Sequence, residues 1–334
     1  MTIKLTRRKA IGSAVVGLAG LTAGVARAQD AGGGSPPAAA LPTANVGVYH
    51  TKVGEIDVAL VNDGWFNFDP IHPSLGGNVD PKQVADVIRE HHAPPDGRAH
   101  IQVLLVRHGD RVALIDAGSG HTFGPTAGRL ITNLRTLGIE PEHVTDILVT
   151  HAHLDHVGGL TTPDGVVAFP NAAVHVTDAE RKFWASNPTL EESGVPEEMK
   201  QAVIKIANDT MSAVADRVQS VTPGREVLPG VTAVEAAGHT PGHVVYRIAD
   251  GDESLLFVGD LIFFPPLTTM NPDWYVAFDS DRAAAAATRF RLMDMIATDR
   301  QRICGSHLPF PAFGHLRAAG GGFDYLPEIW RFEV

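Results

Sequence analysis

The sequence predicts an α/β domain in which two β-sheets are each covered by helices. Short apolar runs bounded by glycine or polar residues are typical of buried strands, and longer segments carry apolar residues at helical spacing. Helices and strands alternate throughout the chain, and no internal repeat of roughly 20–50 residues indicates a solenoid or a propeller. With 334 residues, 44% of them hydrophobic, the chain can bury a sizeable core.

The predicted elements can be given in chain order. The strands are GEIDVALVNDG, IQVLLVRHGDRVALIDAG, HVTDILVT, AAVHVT, GVTAVEAAG, HVVYRI, ESLLFVGD and QRICGS, of which the second is a hairpin that turns at Gly109-Asp110. The helices are GPTAGRLITNLRTLG, which stops at Gly138, and the segments 178–186, 196–217 and 281–298. Both kinds of element occur in each half of the chain, as two helix-covered sheets require.

Composition excludes several classes of function. Charged residues make up 19% of the chain and the formal net charge is −11, with no cluster of Lys and Arg that would indicate a nucleic-acid partner. An acidic surface also disfavours other anionic partners. The only cysteine, Cys304, excludes an intrachain disulfide and an all-thiolate zinc site.

Residues 1–28 have the pattern of a twin-arginine export signal. Arg7-Arg8 precede an apolar stretch rich in Gly and Ala, and Ala26-Arg27-Ala28 form a small-x-small cleavage site before Gln29. An uncleaved membrane anchor is the alternative, but the apolar stretch 10–26 is short for a span and contains four glycines. The pattern predicts that the precursor uses the twin-arginine export machinery and that the mature protein is periplasmic or secreted.

A linker separates this signal from the folded domain. Residues 29–43, QDAGGGSPPAAALPT, contain little that could be buried and are expected to be flexible. The domain is expected to span 44–334. Twin-arginine export carries proteins that have already folded, often around a metal ion, which agrees with the histidine-rich motif described next.

The segment THAHLDHVGG, residues 150–159, places three histidines and an aspartate within six consecutive positions. His151 and His153 follow a predicted buried strand, and in an extended chain residues two apart face the same side. Asp155 and His156 come after a turn and so point elsewhere, while the closing glycines let the following backbone pass close by. One short loop can therefore present two pairs of ligands to two adjacent metal sites.

The motif alone is incomplete, because a catalytic zinc-type ion needs three or four protein ligands with one position left open. Three further candidates follow apolar strands: His239 in GHTPGH, Asp260 in LLFVGD and His307 in QRICGSH. Strand ends are where α/β folds gather the residues of their sites. A single such histidine would be a satisfied loop residue, but seven candidate ligands in this order predict a metal centre.

The set HxHxDH, then GHTPGH, GD and SH, resembles that of the metallo-β-lactamase superfamily of binuclear hydrolases over essentially the whole mature chain. The resemblance implies an αββα sandwich, with two mixed β-sheets flanked by helices, and two divalent cations, with zinc expected. It assigns His151, His153 and His239 to the first ion, Asp155, His156 and His307 to the second, and Asp260 to both as a bridge.

Two further residues are expected to support this centre from behind the ligands. Asp116, in LIDAG, matches a superfamily aspartate that supports the site. His243, the second histidine of GHTPGH, is expected to do the same or to shape the turn, rather than to bind a cation.

Two cations roughly 3.5–4 Å apart can share a water and lower its pKa, which gives a bridging hydroxide as the nucleophile. With two carboxylates and this hydroxide the centre stays near one positive charge, which suits neutral esters, lactones or triesters. In related lactonases the aspartate matched by Asp155 passes a proton to the leaving group, so Asp155 and Asp260 are the expected catalytic residues. The leading hypothesis is an exported binuclear zinc hydrolase of carboxylic esters or lactones, of the aryl-ester or acyl-homoserine-lactone type.

Other branches of the superfamily fit less well. True β-lactamases generally lack a bridging carboxylate at the position of Asp260, and a tRNA nuclease would want a basic surface. Glyoxalase II would want a C-terminal helical domain with basic residues. By contrast, SHLPFPAFGH, FGPTAGRL and FPNAAVHVTDAERKFW resemble the methyl parathion hydrolase group and its lactonase and aryl-esterase relatives.

In that group aromatic residues line a hydrophobic pocket for the leaving group, and Phe123 and Trp184 match two of them, with core packing as the alternative for each. Met199 stands about where a third aromatic is expected, which weighs against efficient organophosphate hydrolysis. Phosphotriester hydrolysis is therefore expected as a side activity, with an organophosphate hydrolase as the alternative function. A protein that holds metal without catalysis is the further alternative, and a homodimer stays open.

Overall fold

The computed structural model of the protein describes residues 45–334. Over this range the chain forms two seven-stranded sheets packed face to face and flanked by helices. The expected export signal at 1–28 and the linker at 29–43 lie outside the described residues, as does residue 44, the expected start of the domain. From residue 45 onward, no helix is both long enough and apolar enough to cross a membrane.

The first sheet consists, in spatial order, of β1 (Val48–Val53), β2 (Ile56–Asn67), β3 (Arg98–His108), β4 (Arg111–Ile115), β5 (Asp146–Leu148), β6 (Ala173–Thr177) and β7 (Val218–Val221). Strands β1 to β4 are antiparallel neighbours, and β4 to β7 are parallel. The hairpin turn expected at Gly109-Asp110 joins β3 to β4, with Gly109 at positive φ. The expectation that helices alternate with strands throughout is wrong here, because tight turns join β1 to β2 and β3 to β4.

The second sheet consists, in spatial order, of β14 (Gly322–Pro327), β13 (Phe313–Ala319), β12 (Arg302–Cys304), β11 (Glu253–Phe257), β10 (Val244–Asp250), β9 (Val231–Glu235) and β8 (Glu226–Leu228). Only β11 and β12 are parallel neighbours, since a long crossover separates them in the chain. Both sheets are therefore mixed, as the sandwich fold implied.

The helices are α1 (Ile71–Ser74), α2 (Pro81–Glu90), α3 (Leu130–Thr136), α4 (Leu154–Val157), α5 (Asp178–Ala185), α6 (Glu197–Ala213), α7 (Pro265–Thr268) and α8 (Arg282–Thr298). The helix expected from Gly124 to Gly138 begins only at Leu130. The reason is local: Gly128 has φ +80°, and the buried carboxylate of Asp63 accepts hydrogen bonds from the backbone N–H groups of Gly128 and Leu130.

The core follows from the period of two along each strand. On β2 and β3, Leu60 and Leu104 point toward the second sheet, whereas Val61 and Val103 point outward beneath the helices of the first sheet. Helix α8 covers the second sheet and buries Leu292 in its core. The layers are therefore helix, sheet, sheet and helix, and the ends of central strands from both sheets open at one edge of the sandwich.

Candidate metal centre

Segments that follow five strands converge at this edge. Asp116 follows β4, His151 follows β5, Asp260 follows β11, His307 follows β12, and the loop after β9 carries His239. The carboxyl ends of neighbouring parallel strands meet at the same edge of a sheet, so Asp116 lies beside His151 and Asp260 beside His307. Strand β9 runs in the same direction as β11, since both are antiparallel to β10, and the loop with His239 therefore starts at the same edge. All five side chains are buried.

The first cluster contains three imidazoles. His153 Nδ1 lies 2.9 Å from both His151 Nε2 and His239 Nε2, which are 3.1 Å apart. One oxygen of Asp260, Oδ2, lies 3.7 Å from His151 Nε2 and 3.4 Å from His239 Nε2. A tetrahedral ion bound at 2.0–2.1 Å would separate its ligands by about 3.3 Å, so these four atoms have the spacing of a ligand set.

The second cluster gathers around the other oxygen of Asp260. Oδ1 lies 3.0 Å from His156 Nε2 and 3.1 Å from His307 Nε2. Asp155 Oδ2 lies 3.5 Å from the first of these nitrogens and 3.4 Å from the second. Each oxygen of Asp260 therefore belongs to a different cluster, which is the arrangement of a carboxylate that bridges two ions.

Three atoms of the second cluster test whether a cation fits. His156 Nε2, His307 Nε2 and Asp260 Oδ1 are buried and lie close together, yet none of them makes a hydrogen bond of acceptable geometry with any residue from 45 to 334. Buried polar atoms nearly always have partners, and a shared cation would satisfy all three at once. Imidazole nitrogens and carboxylate oxygens are ligands of divalent transition metals. The residues present therefore fit two divalent cations.

In His156 and His307, the ring nitrogen that faces away from the cluster lies within hydrogen-bond distance of an oxygen outside the two clusters. Asp116 Oδ2 lies 2.7 Å from His156 Nδ1, and the same carboxylate accepts the backbone N–H of Thr150. The backbone carbonyl of His100 lies 2.6 Å from His307 Nδ1. Contacts of this kind fix the tautomer of a ligating histidine and the direction of its lone pair. The structure thus places Asp116 behind the ligands.

His243 lies behind Asp260. Burial lowers the pKa of His243 to about 3, so its ring is neutral. Its Nδ1–H donates to the carbonyl of Ala236, at 3.1 Å, and its Nε2 accepts the backbone N–H of Asp260, at 3.4 Å. This histidine therefore orients the bridging aspartate through the backbone.

The closing glycines of the motif permit a close approach. A Cβ on Gly158 or Gly159 would overlap with the backbone carbonyl oxygens of Ser119 and Ala117. The short helix α4, which starts directly after His153, can therefore lie against the loop that follows β4. This contact directs Asp155 and His156 toward the second cluster.

Without a cation, protons would replace part of the missing positive charge. Burial by itself lowers the pKa of His239, but the carboxylates of Asp260 and Asp279 outweigh it and raise that pKa to about 9. The pKa of His156 is raised well above its usual value, since Asp260, Asp155 and Asp116 outweigh burial in the same way. For His153, burial and the neighbouring charge of His239 outweigh the carboxylates of Asp155 and Asp260, and its pKa is lowered to about 3.

We expect the stability of the metal-free protein to fall as the pH rises through about 9. The pKa of His239 is raised from 6.5, so its contribution is fully present below about pH 6.5 and is lost on deprotonation. Thermal unfolding of chelator-treated protein between about pH 6 and pH 10 measures this. In the metal-loaded protein the ligating rings are neutral, so acid should instead release metal. A metal-free protein that becomes more stable between about pH 6 and pH 10 would contradict a raised pKa for His239.

Residues 96–307 match the family model described as "Metallo-beta-lactamase superfamily". The match covers more than half of the chain and every residue of the two clusters. The chain belongs to the metallo-β-lactamase superfamily.

Relatives within this superfamily include lactonases and other hydrolases. An N-acyl homoserine lactonase from a Bacillus species is 25% identical over 200 residues, which are 60% of this chain and 67% of that protein. A probable metallo-hydrolase of Mycobacterium tuberculosis is 27% identical over 195 residues, or 48% of this chain. The match spans just over half, 56%, of the mycobacterial protein.

Two solved structures of the superfamily resemble the whole described domain. AidC, a dizinc quorum-quenching lactonase in complex with a product, is 27% identical, with a TM-score of 0.81 over 85% of this chain and 98% of that one. The hydrolase AbOPH is 29% identical, with a TM-score of 0.78 over 86% of this chain and 100% of that one.

A buried pair that the sequence analysis missed supports His239. Asp279 is fully buried, its Oδ1 lies 2.9 Å from His239 Nδ1, and its Oδ2 accepts a hydrogen bond of 3.1 Å from Arg289 Nη2. Arg289 in turn donates to the backbone carbonyls of Pro272 and Trp274. Asp279 stands 40 residues after His239 in a loop without a recognisable motif, so no signal in the sequence identified it.

Replacing Asp279 with asparagine should weaken the binding of the first ion by about 10- to 100-fold, the usual cost of removing such a support. The amide would set an N–H group against either His239 or Arg289. A competition titration with a chromophoric chelator measures the two affinities, and Asp281→Asn, on the cap of α8, serves as the control. Unchanged affinity for both ions would show that Asp279 does not orient His239.

The two expected pocket aromatics differ in position. Phe123 is partly exposed and stacks on Phe66, with ring centres 5.1 Å apart. Phe66 lies edge-on to His307 at 5.5 Å, so Phe123 is connected to the metal centre through one ring. Trp184 is only 1% exposed and packs against His153 at 5.4 Å, with its Nε1 donating to Glu180. The structure thus places Trp184 in the core behind a ligand, because its indole N–H finds a buried carboxylate there, and not on a pocket wall.

Proposed function

We propose that this protein is a dinuclear zinc hydrolase of carboxylic esters and lactones with an apolar substituent. The observation that carries the proposal is the position of Asp260, whose two oxygens serve two adjacent ligand clusters. When bound, the two cations would acidify a shared water to supply the nucleophile and polarise the substrate carbonyl. Zinc is proposed because imidazole and carboxylate ligands with near-tetrahedral spacing suit this ion.

The chain's own residues would orient the substrate and manage the proton. Asp155 is the more exposed of the two carboxylates in the clusters: 10% of its side chain is accessible, against 3% for Asp260. It accepts no hydrogen bond from a backbone N–H in the described part of the chain, so one oxygen is free to take up a proton. We assign Asp155 the uptake of the proton that the attacking water loses and its transfer to the departing oxygen, after which Asp155 is ionised as before. Asp260 would hold the two ions at a fixed separation.

Aromatic rings beside the ligands indicate an apolar substrate group. Phe66, Phe123 and Phe278 are all partly exposed, and Phe278 lies edge-on to His153 at 6.4 Å. Aromatic walls with a few directed polar groups are typical of small-molecule sites. Similarity to AidC and to the Bacillus lactonase supports lactones, including acyl-homoserine lactones, as one substrate class.

A substrate panel run on zinc-loaded protein tests the proposal. Aryl esters, dihydrocoumarin, acyl-homoserine lactones and methyl parathion are each assayed with and without chelator, beside Asp260→Ala as a control for contaminating hydrolases. We expect metal-dependent turnover of esters or lactones, with slower phosphotriester hydrolysis as a side activity. Faster turnover of methyl parathion would favour the organophosphate hydrolase. Two bound ions without turnover of any substrate would favour a non-catalytic metal-holding protein.

We also propose that the protein is exported through the twin-arginine machinery to the periplasm or beyond. The support is the sequence of residues 1–28, with Arg7-Arg8 and the cleavage pattern Ala26-Arg27-Ala28. N-terminal sequencing of the exported protein should read from Gln29, and replacing both arginines with lysine should retain the precursor inside the cell. Light scattering on the same mature protein distinguishes a monomer from a homodimer.

A further inference from the structure

Glu180 is a fully buried carboxylate outside the two ligand clusters. It lies in the first turn of α5, and its side chain accepts four hydrogen bonds. Oε1 accepts from the backbone N–H of Ala152, at 2.8 Å, and from Trp184 Nε1, at 2.7 Å. Oε2 accepts from Thr240 Oγ1, at 2.6 Å, and from the backbone N–H of Gly242, at 3.1 Å.

All four donors adjoin the imidazoles of the first cluster. Ala152 stands between His151 and His153, and the ring of Trp184 packs against His153. Thr240 and Gly242 belong to the loop that begins at His239. One oxygen of Glu180 therefore holds the segment with two of the ligands, and the other oxygen holds the segment with the third.

The start of α5 is itself packed tightly against the second of these segments. Thr177 Oγ1 donates to the carbonyl of Gly242, at 2.9 Å, and accepts the backbone N–H of Glu180, at 3.2 Å. A Cβ on Gly242 would overlap with the backbone nitrogen of Glu180. The carboxylate thus has a fixed position relative to both loops, and a shift of either loop would break its hydrogen bonds.

We propose that Glu180 is a positioning residue that sets the separation of the three imidazoles of the first metal site. Its loss would leave two backbone N–H groups, an indole N–H and a hydroxyl buried without an acceptor. The two loops would then lack the side chain that joins them, and their separation would change. None of its donors adjoins Asp155, His156 or His307, so the second site should be affected much less than the first. The inference rests on the metal centre of the proposed function, though not on its substrate.

The test is a two-site zinc titration against a chromophoric chelator, in which the Glu180→Gln variant is compared with the wild-type protein, both as the full chain. The amide keeps the shape of the side chain but turns one acceptor into a donor that faces Oγ1 of Thr240 and the N–H of Gly242. We expect one zinc ion to bind about tenfold more weakly or worse, as for other outer supports of metal ligands, with the second affinity changed by less than about threefold.

Asp146→Asn is the matched control. Asp146 is also a buried carboxylate in a hydrogen-bonded cluster, with Arg111, Thr145 and His175, but it lies at the start of β5, away from the ligands. This variant should lower thermal stability while the ratio of the two zinc affinities stays that of the wild type. A general structural role of Glu180 would give the same result in both variants.

Thr240→Val removes a single donor with little change of volume and covers the case in which Glu180→Gln does not fold. It should change the same affinity in the same direction by a smaller factor. Equal weakening of both ions, or two wild-type affinities in the soluble variants, would overturn the proposal. Selective loss of one ion in a protein that hydrolyses nothing would support this inference and overturn the proposed function, whereas normal titration in an active ester hydrolase would do the reverse.

Discussion

Replacing Asp260 with alanine should lower kcat/KM for any ester or lactone substrate by roughly 10³-fold, which corresponds to about 4 kcal/mol of transition-state stabilisation. The reason is that this carboxylate contributes one oxygen to each cluster. Its loss therefore weakens the binding of both ions and removes the group that fixes the distance between them. The variant should retain at most one tightly bound ion, which elemental analysis after gel filtration measures.

His151→Ala should also lose most activity and at least one ion, but it alters the first cluster alone. Asp252→Ala provides a control, because it removes an exposed carboxylate from the turn before β11, the strand that leads to Asp260. A wild-type rate together with wild-type metal content in Asp260→Ala would show that this residue does not bridge two ions.

Removal of the metals should abolish hydrolysis and lower the melting temperature by roughly 10 °C or more. An ion present at about 1,000 times its Kd stabilises the folded state by about 4 kcal/mol, and each kcal/mol shifts the melting temperature by a few degrees in a domain of this size. The two clusters consist of buried imidazoles and carboxylates, and three of their atoms make no hydrogen bond in the described part of the chain. A bound ion would satisfy these atoms in the folded state only. Differential scanning calorimetry before and after dialysis against chelator measures the shift.

Zinc, but not magnesium, should restore both the rate and the melting temperature of the dialysed protein, since nitrogen-rich sites do not suit hard cations. Activity that survives exhaustive chelation, or a melting temperature unaffected by it, would contradict a metal-dependent mechanism. The same material supplies the metal-free sample for the pH series.

The sequence was sufficient to predict which seven side chains form the two clusters, because their signals are local and their order resembles that of a known family. Paired histidines two apart after an apolar strand have a defined geometry, and His239, Asp260 and His307 each follow a strand of their own. Short apolar runs in both halves of the chain also predicted two sheets, which the structure confirms. The common direction of β4 and β5, and of β9, β11 and β12, then placed these strand ends at one edge.

The supports behind the ligands were not predictable in this way, since their signals are not local. Glu180 in DAERKFW reads as one charge among several on a surface helix, and only the fold buries it between two loops. Asp279 is identified only by its contacts with His239 and Arg289. For Trp184 the resemblance implied a pocket wall and left core packing as the alternative; its burial and its hydrogen bond to Glu180 decide for the core.

Elements at the two ends of the domain were also missed for physical reasons. Strand β1 begins the domain with alternating polar residues, and β13 and β14 form a glycine-rich hairpin whose apolar residues are widely spaced. Strands β1 and β14 lie at sheet edges and β13 pairs between β12 and β14, so all three acquire their pairing from the sheet they join. Their intrinsic preference is too weak to be recognised alone.

The most direct test of the two-cation centre is an anomalous-difference map at the zinc edge, from crystals of protein loaded with zinc. We predict two peaks roughly 3.5–4 Å apart, one among His151, His153 and His239 and the other among Asp155, His156 and His307, with Asp260 between them. A single peak, or two peaks with Asp260 bound to only one of them, would contradict the account.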